Sequence, residues 1–309
     1  MRKLLALALA ALLLSTFQAQ ALTETDGCVT GTLTVGNYAF EVDAGLFAPD
    51  STASSVTYHA VEIDQDDWRA ALEQWFPDHA LAQGTPSGGS GSVCILLPRS
   101  RRTMDATLSA ALDRCRSFCA EVGLTVAEAP LSAAYLRQDE AGHTVRITSE
   151  EAALLPPAAR EYEIILLQAV DGVPILPRLQ TVRFPGMAVP MDAPGCAVTD
   201  TAVAFRFDGD GRLTALSAAP VSGQTGGSIA AGSWEQALRA LLAEYVRHPR
   251  VQAKYEAARD IVTDIRLVYS TGMDNRGAPG WLITLTTMDD QGMGHRGFTG
   301  WIALTDMPD

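Results

Sequence analysis

Residues 233–249 carry the clearest pattern of apolar and polar positions in the chain. Trp234, Leu238, Leu241, Leu242 and Tyr245 fall on one face at helical spacing, Ser233 stands at the N-cap and Pro249 stops the run. After it, residues 261–271, 280–288 and 296–305 are short runs of β-branched and aromatic residues, read as three strands. Before it, residues 161–170 and 173–184 flank Asp171-Gly172, and residues 201–207 and 212–220 flank Asp208-Gly209-Asp210-Gly211. Both pairs predict hairpins.

The N-terminal half is more mixed. Residues 31–41 and 54–63 predict two strands. Asp64, Asp66 and Asp67 open a helix through about Phe76, since the helix dipole favours acids in its first turn. Residues 84–92 (GTPSGGSGS) read as a flexible linker, and 93–97 as a short strand. Thr103 is the expected cap of a helix over 104–122 that ends at Gly123. Residues 132–138 and 143–148 predict a hairpin, and Thr148 to Glu151 a capping box before a helix stopped by Pro156-Pro157. Strands, one helix and strands again argue for an α+β protein. The expected architecture is antiparallel sheets, each covered by one or two helices, rather than a doubly wound parallel sheet.

The first 21 residues stand apart. Arg2 and Lys3 precede an unbroken Leu/Ala run from Leu4 to Leu14, and Ala19-Gln20-Ala21 follows. This is the pattern of a signal peptide cleaved near Ala21, with an apolar run too short for a comfortable membrane span. The expected division is therefore a signal peptide at 1–21, an N-terminal α+β domain at 22–155 and a C-terminal α+β domain at 156–309. The mature chain is expected to be secreted or extracytoplasmic, without a transmembrane helix. The full sequence of 309 residues suits two domains.

Composition narrows the partners. A total of 23 Lys and Arg against 36 Asp and Glu leaves a net charge of −13, which argues against a nucleic-acid partner. Apolar content of 47% is enough to build cores and excludes wholesale disorder. Five cysteines (Cys28, Cys94, Cys115, Cys119 and Cys196) are an odd number, so at least one is unpaired or pairs with another chain. Cys115 and Cys119 lie on the apolar stripe Leu108, Leu112, Cys115, Cys119, Val122. They read as core thiols, as a staple to Cys94 or Cys28, or as two ligands of a zinc ion that lacks nearby partners.

The usual hydrolase and nucleotide-cleaving signatures are missing: no HExxH, GxSxG, SxxK or P-loop occurs. Gly88-Gly89-Ser90-Gly91-Ser92 falls short of a nucleophile elbow and sits in the linker. The five histidines (His59, His79, His143, His248 and His295) are far apart in sequence, with His59 the best placed of them. Glu62, Asp64, Asp66 and Asp67 read as a helix start or as calcium ligands. Asp208 to Gly211 opens like a calcium loop, but Ala219 holds the position of its bidentate carboxylate. Asp289-Asp290 reads as a turn. Arg99, Arg101 and Arg102 form a basic cluster that suits an anion or a solvated loop. Trp68, Trp75, Trp234, Trp281 and Trp301 read as core, or as sugar-stacking surfaces. No residue is designated catalytic, cofactor-binding or metal-ligating, and no cofactor is expected.

The segment FRFDGDGRL (205–213), Ser233-Trp234-Glu235-Gln236-Ala237-Leu238, Ile265-Arg266-Leu267-Val268-Tyr269 and Pro279-Gly280-Trp281-Leu282 together resemble the YycH/YycI two-component regulatory group and PepSY-like modules. Tyr162 with Asp171-Gly172-Val173-Pro174-Ile175 is similar to a segment of uncharacterised exported proteins of Gram-positive bacteria, a family of unknown function. The resemblance covers about residues 160–309 and implies a sheet-and-helix module that binds an envelope protein or peptide. The chain departs from YycH/YycI, whose N-terminal helix stays in the membrane. The expected function is thus an exported, non-catalytic binding or regulatory module, with a cell-envelope hydrolase of dispersed site as the alternative.

Overall fold

The computed structural model describes residues 22–48, 54–62, 64–81, 93–96, 104–138, 140, 144–177, 196–199, 202–229, 232–247, 259–271, 276–288 and 294–304. Its strands are β1 (Thr23–Thr25), β2 (Cys28–Val35), β3 (Tyr38–Phe47), β4 (Ser54–Ala60), β5 (Val93–Leu96), β6 (Ser132–Gln138), β7 (Thr144–Ile147), β8 (Glu161–Leu167) and β9 (Ala169–Val170). Then follow β10 (Val173–Pro177), β11 (Cys196–Thr199), β12 (Ala202–Asp208), β13 (Leu213–Ser217), β14 (Val221–Ser228), β15 (Arg259–Thr271), β16 (Arg276–Met288) and β17 (Gly294–Ala303). The helices are α1 (Gln65–Trp75), α2 (Ala106–Glu121), α3 (Ser149–Leu154) and α4 (Trp234–Arg247).

The strands form two large sheets and one small one. A ten-stranded sheet runs β1-β2-β3-β15-β16-β4-β14, with β10 beside β15, β9 beside β10 and β17 beside β16. A five-stranded sheet runs β13-β12-β8-β6-β7, and β5 pairs with β11 separately. Both large sheets recruit strands from either side of residue 155. The fold is α+β and mainly sheet. Most pairings are antiparallel, as expected, but β3 and β10 both run parallel to β15. The turn signals that predict antiparallel hairpins say nothing about strands joined through distant segments, and these two parallel pairings are of that kind.

Three apolar clusters stack the layers. Leu238, Leu241, Leu242 and Tyr245 of α4 pack on Phe40, Val42, Ile265, Leu267 and Ile283 of the ten-stranded sheet. Trp68 of α1 and Leu112, Cys115 and Phe118 of α2 pack on Ile164, Leu166, Phe205 and Phe207 of the five-stranded sheet. Between the sheets, Ile165, Leu167 and Ala202 meet Leu176, Val268 and Leu282. Strand β8 (EYEIILL) is apolar on successive positions because its side chains reach opposite layers, with Ile164 toward the helices and Ile165 toward the other sheet.

Several local expectations hold. Asp64 caps α1, the Thr148–Glu151 capping box is formed, and Ser233 accepts from the Gln236 amide while the Gln236 side chain accepts from the Ser233 amide. Others are corrected. Residues 31–41 are a hairpin turning at Gly36-Asn37 rather than one strand, a two-residue turn signal hidden by the apolar run. Asp105, not Thr103, caps α2: its carboxylate accepts from the Leu108 amide at 3.0 Å and from the Tyr135 hydroxyl at 2.9 Å. Strands β11 and β14 were not legible, since neither is strongly alternating. The linker at 84–92 lies outside the described residues.

Burial opposes ionisation of Asp105. The Leu108 amide, the Tyr135 hydroxyl, Ser149 and the Thr107 amide outweigh it and hold the carboxyl below its ordinary 3.8. A folded value below the unfolded one stabilises fully above the ordinary range and is lost as pH falls through the folded value. In urea unfolding between about pH 5 and pH 2, Asp105→Asn is therefore expected to flatten the acid decline; an unchanged slope would refute the linkage. For the α4 layer, Leu238→Ala is expected to cost about 2–5 kcal/mol. Arg239→Ala, on the exposed face, should stay within about 0.5 kcal/mol. Equal losses would mean that α4 does not dock through Leu238.

Candidate functional site

Strand β15 carries a charged pair inside the protein. Its ladder with β16 shifts register between Val262 and Asp264, so Ile265, Leu267 and Tyr269 face α4. Residues two apart share a face of a strand, and here Asp264 and Arg266 take the other face with Val268. Both charged side chains are 2% exposed. The Arg266 Nε donates to Asp264 Oδ2 at 2.7 Å and Nη2 donates to Oδ1 at 2.9 Å, a bidentate pair. This two-bond geometry offsets the desolvation that makes buried ions costly.

Neighbouring strands close the pair in. Gly45 and Phe47 of β3 lie opposite Asp264 and Arg266 in the parallel register. The guanidinium carbon sits 4.7 Å from the centre of the Phe47 ring, a cation–π contact. That ring lies across Gly45: a Cβ there would come within 2.8 Å of Phe47 Cε2, so a side chain at this position would displace the ring. On the other side Thr284 faces Asp264, and its hydroxyl, like that of Thr263, is buried without a hydrogen-bond partner among the described residues. The Thr287 hydroxyl donates to Asp260 at 2.7 Å. The residues are sealed rather than offered to a ligand, and sequence reading missed them because IVTDIRLVYST scans as an ordinary half-exposed strand.

The exposed candidate is β14, the last strand in the sheet order. It pairs with β4 from Val221–Ala60 to Thr225–Val56, then bulges before Ser228–Ser54. Among the described residues no strand pairs with its other side. Its sequence VSGQTGGS contains neither charge nor proline, the usual protections of an open edge. One end of that open side is held by a side chain. The buried Gln168 side chain donates from Nε2 to the Ala219 carbonyl and accepts the Val221 amide on Oε1, both at 2.8 Å. Gly223 lies so close to β9 that a Cβ would sit 2.3 Å from Val170 Cγ2. Ser222 and Gln224 are exposed on the solvent face, opposite His59 and Thr57.

The remaining candidates from the sequence do not converge. His59 is an exposed strand residue; His79 is half-buried, its Nδ1 without a hydrogen-bond partner among the described residues; His143, His248 and the side chain of His295 lie outside the described residues. Asp64 accepts from the Asp66 and Asp67 amides, Asp66 pairs with Arg69, and Glu62 and Asp67 are exposed. Asp208 accepts from the Asp210 and Arg212 amides, closing a hairpin turn. Among the described residues no group of three His, Cys, Asp or Glu is placed to hold a metal. Trp68 and Trp281 are buried, while Trp75, Trp234 and Trp301 are half-buried against the cores. Arg99, Arg101, Arg102, Asp289 and Asp290 lie outside the described residues. So do the side chains of Cys94 and Cys196.

Cys28, Cys115 and Cys119 are buried free thiols. Burial pushes the Cys119 thiol up to about 12, and burial with the Cys119 neighbour holds Cys115 well above its ordinary value. Neither is a reactive thiolate at neutral pH. No helix of the described residues is long and apolar enough to cross a membrane.

Truncating one partner of the β15 pair strands the other charge in the interior. Asp264→Ala is expected to lose about 3–5 kcal/mol. The double change Asp264→Leu with Arg266→Met, apolar and of similar volume, should lose much less than Asp264→Ala. Denaturant titration of the two variants and the parent checks this; a double variant at least as damaged as Asp264→Ala would refute it.

No family model matches the chain, and no curated protein matches it. Among solved structures it is similar to an uncharacterized protein from Eubacterium rectale ATCC 33656, with 12% sequence identity over 89% of this chain and 90% of that one, and a TM-score of 0.42.

Proposed function

We propose that this chain is an exported, non-catalytic binding or regulatory module of the bacterial cell envelope that takes an envelope protein or peptide along strand β14. The observation that carries this reading is the edge itself. Beyond Val221, whose amide donates to Gln168, its backbone donors and acceptors on one side meet no described strand, and nothing in VSGQTGGS repels an incoming one. Strand addition draws affinity from main-chain hydrogen bonds, so it needs a straight, immobile edge more than a deep pocket. Gln168 and the close contact of Gly223 with Val170 supply that immobility. The regular ladder from Val221 to Thr225 supplies the length. Export is supported by the sequence alone, through Arg2, Lys3, the Leu4–Leu14 run and Ala19-Gln20-Ala21.

A photo-reactive benzoylphenylalanine in place of Gln224 is expected to trap a discrete adduct in intact producing cells. The same group in place of Ser109, exposed on α2, should trap none. Equal trapping at both positions, or none at Gln224, would remove β14 as the docking edge. Fractionation of those cells tests export separately: recovery of the chain in the cytoplasm with residues 1–21 intact would refute it.

A further inference from the structure

We propose that Cys94 and Cys196 close into a disulfide that staples strand β5 to strand β11 once the chain enters an oxidising compartment. The reading of export above supplies only the compartment. The bridge itself rests on strand register and on the state of the other thiols.

Strands β5 (VCIL) and β11 (CAVT) come from opposite sides of residue 155 and pair with each other and with no other described strand. The antiparallel register sets Cys94 opposite Val198 and Cys196 opposite Leu96. Directly opposite residues share a face of a ladder, as do residues two apart on one strand. Cys94, Leu96 and Cys196 therefore lie on one face, with the two cysteines at diagonal positions. Diagonal neighbours of an antiparallel pair have Cα atoms about 7–8 Å apart, and a disulfide spans about 4.4–6.8 Å. Closure thus asks the two strands to approach by about 1 Å. A ribbon of two strands can give by that much, since no third described strand holds it. Such a ribbon is marginal in water on its own. A bridge here would close a loop of about a hundred residues, and long loops are where a cross-link restricts the unfolded chain most.

The remaining cysteines leave this pair to itself. Cys115 and Cys119 are buried free thiols in the layer between α2 and the five-stranded sheet. Burial holds both protonated at neutral pH, and disulfide exchange needs a thiolate. Cys28 is buried in β2 of the other large sheet, where its Sγ donates to the Asp26 carbonyl at 3.2 Å. The five cysteines then divide into one bridge and three free thiols, and their odd number needs no second chain.

The oxidant is a disulfide carried by an exchange protein or a small thiol. One of the two thiolates attacks it, forming a mixed disulfide and releasing one thiol. The second thiolate attacks the protein sulfur of that mixed disulfide and releases the other. Two protein thiols give up two protons and two electrons, and the carrier disulfide becomes two thiols.

In the test, the signal-free chain is purified reduced, incubated folded with oxidised glutathione, and alkylated with N-ethylmaleimide in denaturant. Tryptic cleavage at Arg69 and Arg99, and at Arg183 and Arg206, puts Cys94 and Cys196 on separate peptides. Mass spectrometry is expected to find these two peptides joined, with Cys28, Cys115 and Cys119 alkylated. In Cys94→Ser the bridge should vanish and Cys196 should carry glutathione; Cys196→Ser should show the converse. A chain that stays reduced, one with glutathione at both positions and no bridge, or one bridged through Cys28, Cys115 or Cys119 would overturn the proposal. The chain alkylated at harvest from producing cells separates the bridge from export. Joined peptides there support both. A chain that has lost residues 1–21 and is still reduced overturns the bridge. A reduced chain that keeps residues 1–21, beside a purified chain that bridges, refutes export and leaves the bridge standing.

Discussion

Strand β15 is the constraint on which the rest of the molecule depends. It pairs with β16 along nearly its whole length, with β3 at one end and with β10 at the other. It is buried on both faces, by α4 on one and by the second sheet on the other. A strand in that position has no solvent face for polar side chains. Asp264 and Arg266 are tolerated because they are two residues apart on one face, close enough for a bidentate bond, and because Gly45 leaves room for the Phe47 ring beside the guanidinium. A register slip of one residue would turn the pair into the α4 core. The pair therefore penalises other registers of the central strand, whatever its net contribution to stability.

The described chain passes from the five-stranded to the ten-stranded sheet at two places, and one side chain ties them. β8 ends in the five-stranded sheet and β9 begins beside the ten-stranded one, with Gln168 at the junction. β13 ends in the five-stranded sheet and β14 begins in the other, with Ala219 and Pro220 between them. The Gln168 amide bonds to both Ala219 and Val221. Its two buried polar groups are thus satisfied by the backbone of the other crossing, as a buried amide requires. The consequence for binding is local: the start of the open edge is fixed by the same contact that joins the two sheets.

Much of this was readable locally. The apolar stripe of α4, the turn at Asp171-Gly172, the turn at Asp208 to Gly211 and the capping box at Thr148 are set by side chains a few residues apart. Their physics is complete within that window. Where a local signal was ambiguous, the reading slipped. Gly36-Asn37 interrupts a run of β-formers without breaking its alternation, and Thr103 and Asp105 are both acceptable caps. The candidate edge lay beyond such reasoning. VSGQTGGS has no periodic apolar face, and it is a strand because β4 supplies the pairing.

By itself, then, the sequence determined the elements, their caps and turns, the faces that must be buried and the acidity of the surface. These depend on spacing along the chain and on composition. The tertiary structure alone decided which strands meet. β3 lies parallel to β15 across more than half the chain, strands from both halves are interleaved in each sheet, and β14 is left at the rim. Hydrogen bonding between strands is indifferent to sequence, because every backbone offers the same donors and acceptors. The choice among partners falls to the packing of whole layers, a property no single segment contains.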